Sequence, residues 1–390
     1  MNIIPYQVAL LGEVGSADMA ALQADLLARV AELGIDPSTH VKILYADTLN
    51  SFVESAPLVA VFFGTPTLPA DAIEAAQKVV DAGFMIIPVV NNLTSYQSLV
   101  PECLYPVNGL ELKAASGGIA AITSVVLEVL NLLRRTRKLF ISYRRLDSRA
   151  AAIQLYEHLD GSGFDVFLDT VSIRPGEPFQ EVLWHKLSDT DVVVLLDTPG
   201  YMQSRWTSAE LARASAMSIG IIQVIWPGHQ PDPASALCER IYLSSADVST
   251  DANGMETLTD ATVASITTLA ESLRARSLSA RYHNLVSELK LTADELNFEV
   301  VLQPQQYVLI KTPHKEVAAI PTVGVPEALR YQEVGEILEA VGNSSSEGAI
   351  LLYDDNNLRQ KWQQHLQWLD GHLPIKSVRI AKVKQWLSSL

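Results

Sequence analysis

The residues best suited to chemistry lie in the middle third of the chain, where each group follows a predicted strand. Arg144 and Arg145 follow the first of these strands. Asp169 follows the second, and Trp206 and Glu210 follow the third. Because ligands of an open parallel sheet bind beyond the carboxyl ends of its strands, we expect these side chains to meet at one rim. Paired arginines suit a pyrophosphate group, and they equally often form surface ion pairs.

The hydrophobic pattern of the middle third predicts the elements that must position these side chains. Short β-branched runs alternate there with segments of helical period, which is typical of a parallel sheet covered by helices. The predicted strands are Leu139–Tyr143, Asp165–Leu168, Asp191–Leu196 and Ile221–Trp226. The predicted helices are Ser148–Leu159, Pro178–Leu187, Arg205–Ser218 and Thr259–Arg276. The polar stretch Ser244–Thr257 is predicted to be a loop.

The same alternation runs through the other two thirds. In the first third it predicts strands Val8–Leu11, Val41–Tyr45, Leu58–Phe63 and Phe84–Val90, with helices Ala17–Leu33, Ala70–Ala82 and Ile119–Leu133. In the last third it predicts helix Ala280–Lys290, a hairpin of Glu299–Leu302 with Tyr307–Lys311, helix Pro326–Val341, strand Ala349–Tyr353, helix Asn356–Leu369 and strand Ser377–Ile380. The fold class is therefore α/β, and we predict three α/β units at residues 1–135, 136–275 and 276–390.

The first two units share a candidate repeat. Leu58–Val90 and Val192–Trp226 have the same order of features, namely an apolar strand, a Thr-Pro pair, an Ala-rich helix, a glycine and a second apolar strand. Any two βαβ units share much of this order for physical reasons, so duplication and independent origin both stay open.

A glycine-containing turn, Gly12–Ser16, offers a second place where backbone amides could hold a phosphate group. It lacks the lysine of a P-loop and the third glycine of a dinucleotide fingerprint, so an ordinary turn is the simpler interpretation.

Charge and composition exclude several classes of protein. The chain has 390 residues and a net charge of −15, which repels phosphate backbones, so no nucleic-acid partner is expected. Hydrophobic residues make up 48% of the chain, which excludes a largely disordered protein.

The cysteine count and the longest apolar runs indicate the compartment. Cys103 and Cys238 alone cannot form a disulfide framework or a four-thiolate zinc site, and the histidines lack metal-ligand spacing, so no metal site is expected. The first residues lack a signal-peptide pattern, and no apolar run reaches the ~20 residues that span a bilayer. These observations predict a soluble cytoplasmic protein without membrane contact.

Four motifs in the middle third resemble a known family when they are taken in order. They are Phe140–Arg145, Gly163–Asp169, Ile173–Phe179 and Ser204–Leu211. Together they resemble a Toll/interleukin-1 receptor (TIR) domain, and in particular its NAD-cleaving prokaryotic branch with the related plant and animal enzymes. The resemblance covers about Lys138–Ser245 and does not reach the first or last third. It implies a flavodoxin-like fold for this unit.

The resemblance implies that Glu210 is the catalytic carboxylate, which cleaves the nicotinamide–ribose bond of NAD+. Nicotinamide leaves NAD+ as a neutral molecule, so the reaction needs no general acid. The ribose develops oxocarbenium character, which a carboxylate can stabilise. Water would give ADP-ribose, whereas attack by the adenine ring would give a cyclic isomer. NAD+ is then the substrate, and no cofactor is expected.

Six further residues are candidates for contact with the substrate. They are Arg144, Arg145, Asp169, Phe179, Trp206 and Trp226. Several have structural explanations that stay open. Thr207–Glu210 has the pattern of a helix capping box. Trp206 and Trp226 could be packing residues, and Asp169 could cap its loop.

The segment Ile173, Arg174, Pro175 and Gly176 resembles the loop through which TIR domains pack head to tail. Pro-Gly gives a stiff turn followed by a flexible residue, as a protruding loop needs. In the NAD-cleaving branch a neighbour's loop completes the site, so the resemblance implies self-association, with Arg174 and Phe179 acting in trans. The sequence departs from the family pattern twice. Asp197-Thr198-Pro199 stands where Ser-Pro is usual, and Thr207 stands where Cys is common.

These observations predict a TIR-domain NAD+ nucleosidase that is regulated by its flanking domains and by assembly. Uncontrolled loss of NAD+ would kill the cell, so an unknown trigger or partner protein is expected. The resemblance to prokaryotic effectors indicates a role in antiphage defence. The alternatives are a non-catalytic scaffold for TIR–TIR assembly and a bacterial mimic that disrupts host TIR signalling.

Overall fold

In the part of the chain that the structure describes, three five-stranded sheets are present, and the first two contain parallel pairings throughout. The computed structural model describes residues 6–13, 16–53, 56–113, 117–168, 179–201, 214, 217–231, 238–250, 254–303, 306–340, 349–354 and 358–390. The α/β fold class is confirmed. The chain divides into two compact units, Met1–Arg137 with Glu157–Gly163 and Ser245–Arg276, and Lys138–Tyr156 with Phe164–Ser244 and Ser277–Leu390. The three predicted domain ranges stay a prediction.

The first sheet has the strand order β2-β1-β3-β4-β5. Its strands are β1 (Tyr6–Gly12), β2 (Val41–Leu44), β3 (Leu58–Phe63), β4 (Met85–Val90) and β5 (Leu110–Glu111). Its helices are α1 (Ala17–Glu32), α2 (Pro37–His40), α3 (Ala70–Asp81), α4 (Tyr96–Leu99) and α5 (Gly118–Val129). The ladder between β1 and β3 runs to Gly12↔Phe63, where both strands end. Helix α5 ends four residues before the predicted Leu133, because Asn131 takes a left-handed conformation with φ of 56°.

The second sheet has the order β10-β9-β8-β6-β7. Its strands are β6 (Lys138–Ser142), β7 (Asp165–Leu168), β8 (Val192–Asp197), β9 (Gly220–Ile225) and β10 (Glu239–Tyr242), and its described helices include α6 (Arg149–Gly161) and α7 (Phe179–Ser188). Numbered within the sheet, this order is 2-1-3-4-5, which is the flavodoxin-like order and also that of the first sheet. The shared order fits the candidate duplication without requiring it. The predicted helix Arg205–Ser218 falls largely outside the described residues.

Two predictions around the end of the second sheet are corrected by the structure. The predicted loop Ser244–Thr257 contains the antiparallel pair β11 (Val248–Thr250) and β12 (Glu256–Leu258). Its residues are mostly polar and exposed, so no hydrophobic alternation indicated strands. The hydroxyls of Ser249 and Thr257 lie 2.9 Å apart across this pair.

The predicted helices Thr259–Arg276 and Ala280–Lys290 are one helix, α8 (Asp260–Glu295), of 36 residues. Neither glycine nor proline lies between the two predicted segments, so nothing local ends the helix. The intervening Ser277 donates its hydroxyl to the Ser218 carbonyl at 3.0 Å and accepts from the Gly220 amide at 3.2 Å.

The third sheet is mixed, with order β13-β14-β15-β16-β17. Its strands are β13 (Glu299–Leu302), β14 (Val308–Lys311), β15 (Glu316–Thr322), β16 (Ile350–Tyr353) and β17 (Lys376–Arg379), and its helices are α9 (Ala328–Ala340), α10 (Gln360–His372) and α11 (Val383–Leu387). The predicted hairpin is confirmed, with an ion pair of 2.9 Å between Lys311 and Glu299 across it. Strand β15 was not predicted, and it contains Pro321, a residue that argues against a strand from sequence alone.

A buried, charge-balanced group, here called the Arg–Glu cluster, lies in the first compact unit. It consists of Glu128, Arg137, Glu271 and Arg274, whose side chains are at most 11% exposed. Arg137 contacts Glu128 at 2.8 Å and Glu271 at 2.6 Å, and Arg274 contacts Glu128 at 2.8 Å. Buried charges are tolerated only when paired in this way. The cluster therefore links α5 and α8 to Arg137, the residue directly before β6.

Within the second compact unit, the segment that follows α7 is held by elements of the last third of the chain. The Arg281 guanidinium donates to the Thr190 carbonyl at 2.8 Å and to the Ser188 carbonyl at 2.5 Å. The Val325 amide donates to Asp189 at 3.0 Å. The two guanidinium bonds satisfy the carbonyls of Ser188, the last residue of α7, and of Thr190 just beyond it.

His185 of α7 is buried against the last third, and we expect it to make stability depend on pH. Its ring stacks on Trp362 with centroids 5.4 Å apart. Burial lowers its pKa to about 4 from a usual 6.5, although Asp189 acts in the opposite direction. Since the folded state favours the neutral ring, its contribution is complete above pH 6.5 and is lost as pH falls towards 4. The free energy of unfolding should drop by about 3 kcal/mol over that range.

Urea unfolding at a series of pH values measures this drop. His185→Phe should flatten it, while His372→Phe, at an exposed ring of α10, should leave it unchanged. Equal pH profiles for the two variants would contradict the assignment to His185.

Within the described residues, no helix is both long and apolar enough to cross a membrane.

Candidate functional site

The candidate site begins where β6 and β8 separate at the carboxyl edge of the second sheet. The chain leaves β6 for β7 on one side and leaves β8 for β9 on the other, so the two connections run in opposite directions. Such a topological switch point forms the crevice where doubly wound sheets bind ligands. The β6–β8 ladder ends at Ser142↔Leu195, and β8 continues to Asp197. The crevice therefore opens directly beyond Ser142.

Arg144 lies at this opening, where Asp147, Thr198 and Gly200 fix its position. Its Nη1 donates to Asp147 Oδ2 at 2.9 Å and to Oδ1 at 3.2 Å. The Thr198 hydroxyl, from the segment after β8, donates to Asp147 Oδ2 at 3.0 Å. A Cβ added at Gly200 would lie 1.8 Å from Arg144 Nη1, so the backbone there packs directly on the guanidinium. We call Asp147, Thr198 and Gly200 the arginine seat.

A second polar network lies one strand further along the same edge. Asp197, 2% exposed, accepts from Gln223 Nε2 at 2.7 Å and lies 3.1 Å from His229 Nε2. Arg240 Nε donates in turn to Gln223 at 3.2 Å. The network links the end of β8 to β9 and β10, and both oxygens of Asp197 have partners in it.

The predicted substrate-contacting residues that the structure describes are Arg144, Arg145 and Trp226. Arg144 lies in the crevice with its side chain 25% exposed, and Arg145 beside it is exposed to solvent. Trp226 is 5% exposed, and its amide donates to the Asp197 carbonyl at 3.0 Å. It follows β9, while Arg144 follows β6, so both stand at the same edge of the sheet.

The other predicted site residues lie outside the described part of the chain. They are Asp169, Ile173, Arg174, Pro175, Gly176, Trp206 and Glu210. Phe179 begins α7, and its side chain is also outside the described part. Their roles stay predictions.

Sequence reasoning did not assign the arginine seat to the site. The Arg144–Asp147 spacing of three residues in the turn before α6 was a usable signal, because such pairs can meet. Thr198 was noticed only as a departure from the family's Ser-Pro, and it retains the hydroxyl that serine would supply. Gly200 gave no signal, since only the three-dimensional contact reveals why a side chain is excluded there.

Comparison with known families and proteins gives matches in this region. A TIR domain family model matches residues 139–259. A probable 2′ cyclic ADP-D-ribose synthase, BdTIR from Brachypodium distachyon, is 29% identical over 110 residues, which is 27% of this chain and 49% of the relative. The chain thus spans about half the length of the curated relative that it matches.

Solved structures resemble the chain only loosely. The myo-inositol binding protein of Caulobacter is 13% identical, with 57% of this chain and 74% of that one covered and a TM-score of 0.19. The tagatose-6-phosphate ketose/aldose isomerase of Escherichia coli is 14% identical, with 72% and 82% covered and a TM-score of 0.19. Likeness at this level carries no argument about fold or function.

The family match and the flavodoxin-like order of the second sheet agree on the same segment. The chain therefore contains a TIR domain at residues 139–259.

Proposed function

We propose that the TIR domain cleaves the nicotinamide–ribose bond of NAD+. The observation that carries this proposal is Arg144, a seated arginine at the topological switch point of a TIR domain. The name of the plant relative, a probable 2′ cyclic ADP-D-ribose synthase, supports the same bond cleavage and favours a cyclic product. The matched segment also contains Glu210, four residues after Trp206, as the family's catalytic carboxylate requires.

The proposed chemistry assigns separate tasks to the residues. Glu210 orients the ribose and stabilises the positive charge that develops as nicotinamide leaves. Arg144 and Arg145 neutralise the diphosphate, which Arg binds more specifically than Lys because its donors match two oxygens at once. Asp169, Phe179, Trp206 and Trp226 contact the substrate. NAD+ is the substrate, and this reaction uses no further cofactor.

Mass spectrometry of the products tests this function directly. The full chain is incubated with NAD+ at high protein concentration, and nicotinamide, ADP-ribose and cyclic ADP-ribose isomers are measured. We expect stoichiometric release of nicotinamide together with ADP-ribose or a cyclic isomer. If an assembled protein releases no nicotinamide, the enzymatic function is wrong and the scaffold alternative takes its place.

Activity should depend on assembly if the loop Ile173–Gly176 of one copy completes the site of another. Specific activity is then expected to rise with protein concentration, and modestly with salt, because salt screens the repulsion caused by a charge of −15. Gly176→Trp should abolish both assembly and turnover. The same change at Gly161, where nothing lies within 4 Å of an added Cβ, is the control. A rate per molecule that is flat across dilution would contradict this prediction.

The cellular role follows from the same reaction. We propose that the chain acts in the cytoplasm in antiphage defence, by depleting NAD+ or by releasing a cyclic ADP-ribose signal. The flanking domains would hold the TIR domain inactive until a trigger or partner protein arrives. This role rests on the resemblance to prokaryotic TIR effectors.

A further inference from the structure

We propose that the arginine seat determines how tightly the protein binds the diphosphate of its substrate. Asp147, Thr198 and Gly200 are positioning residues that act through Arg144 and do not touch the substrate themselves. The inference deepens the proposed function, on which it rests for the identity of the diphosphate ligand.

The first step concerns which donors of Arg144 the seat consumes. Both oxygens of Asp147 contact the same atom, Nη1, at 2.9 and 3.2 Å. A guanidinium carries five N–H donors, and the Nε–Nη2 edge is one that binds two oxygens in parallel. Within the described residues, neither Nε nor Nη2 of Arg144 has a hydrogen-bond partner. The seat therefore occupies one corner of the guanidinium and leaves the bidentate edge for a ligand.

The second step concerns how the Asp147 carboxylate is itself fixed. The Thr198 hydroxyl donates to Oδ2, the oxygen that also makes the shorter contact to Arg144. Thr198 follows β8 and Arg144 follows β6, so this chain of bonds crosses the opening of the crevice. The carboxylate is held from one side of the crevice while it holds the arginine on the other.

The third step concerns the space that Gly200 provides. An added Cβ would lie 1.8 Å from Arg144 Nη1, 2.7 Å from its Cζ and 2.7 Å from Asp147 Oδ2. These distances are far below van der Waals contact, so any residue other than glycine displaces the guanidinium. The displaced group is the end of a flexible side chain, so the domain can still fold. Glycine at this position thus preserves the orientation of Arg144.

Steady-state kinetics and binding separate this role from a structural one. Variants Gly200→Ala and Arg144→Ala, and the double variant, are compared with Gly161→Ala, a glycine with nothing within 4 Å of an added Cβ. Loss of a charged bidentate contact is worth about tenfold to a hundredfold in affinity. We expect KM for NAD+ to rise about tenfold in Gly200→Ala, with kcat changed less than about threefold. The double variant should be no worse than Arg144→Ala, because both changes remove the same contact.

Replacements of Thr198 test the hydroxyl separately. Thr198→Ser keeps the donor and should keep KM, whereas Thr198→Val keeps the shape, loses the donor and should raise KM. Equal KM values for the serine and valine variants would overturn the role of Thr198 in the seat.

Titration with ADP-ribose distinguishes failure of this inference from failure of the proposed function. ADP-ribose carries the diphosphate but lacks the scissile bond. If the wild-type chain binds it, Gly200→Ala and Arg144→Ala weaken binding about tenfold or more, and no NAD+ is cleaved, then the seat is supported and the proposed function is wrong. Equal affinities of the wild type, Gly200→Ala and Gly161→Ala overturn the inference even if NAD+ is cleaved. Absence of any ADP-ribose binding by the wild type overturns it as well.

Discussion

Glu210→Gln should lower kcat for NAD+ cleavage about a hundredfold to a thousandfold. Glutamine keeps the size and hydrogen-bonding reach of the side chain but removes the negative charge that, in the proposed mechanism, stabilises the oxocarbenium-like ribose. Loss of a single preorganised electrostatic group in an active site costs this much in other enzymes. Because the charge matters mainly in the transition state, KM should change far less than kcat. The rate is measured by chromatography of the nicotinamide released at saturating NAD+.

Glu181→Gln is the matched control for this prediction. Glu181 is an exposed carboxylate on α7 of the same domain, so its neutralisation changes the net charge equally. Its rate should stay within about twofold of the wild type. If Glu210→Gln and Glu181→Gln cleave NAD+ equally fast, Glu210 does not carry the reaction.

Arg274→Met should lower the free energy of unfolding of the first compact unit by about 3–5 kcal/mol. Arg274 is fully buried and contacts Glu128 at 2.8 Å. Removing its charge leaves Glu128 and Glu271 facing Arg137 alone, so one buried negative charge is uncompensated. Removal of one partner from a buried ion pair costs far more than the pair contributes, because the remaining charge has lost its solvation.

Arg276→Met serves as the control, since Arg276 is exposed on the same helix two residues further on. It should cost no more than about 0.5 kcal/mol. Hydrogen exchange of the α5 amides under native conditions reports the loss locally and needs no two-state unfolding of the whole chain. Equal protection of α5 in the two variants would show that the cluster contributes little to stability.

The sequence predicted the buried parallel strands well. Strands β3 and β7 begin and end at the predicted residues, because each is an apolar run bounded by turn residues. Some short strands at sheet edges and in the two-stranded ribbon were missed, namely β5, β10, β11 and β12. Strand β10 is an edge strand with exposed ends, so its pattern does not differ from that of a loop.

The candidate site was predictable only as far as residue type and chain order allow. Arg144 was found because charged residues after a parallel strand point to the ligand edge. The partners of Arg137 could not be found this way, because Glu271 lies 134 residues away in sequence. The predicted unit 136–275 begins just before Arg137, and nothing in its sequence showed that Arg137 is buried. Local patterns identify elements, whereas pairing of buried charges depends on the tertiary fold.

The end of the β1–β3 ladder distinguishes the first sheet from the second. Strands β1 and β3 remain paired to their last residues, Gly12 and Phe63, and a Cβ at Gly12 would lie 2.1 Å from the Phe63 carbonyl oxygen. The segments that follow these strands, 13–16 and 64–67, contain neither arginine nor lysine. The two sheets have the same strand order, but a cation follows the strands at the switch point only in the second sheet. If the proposed function holds, each chain should bind a single equivalent of ADP-ribose at saturation, with no contribution from the first sheet.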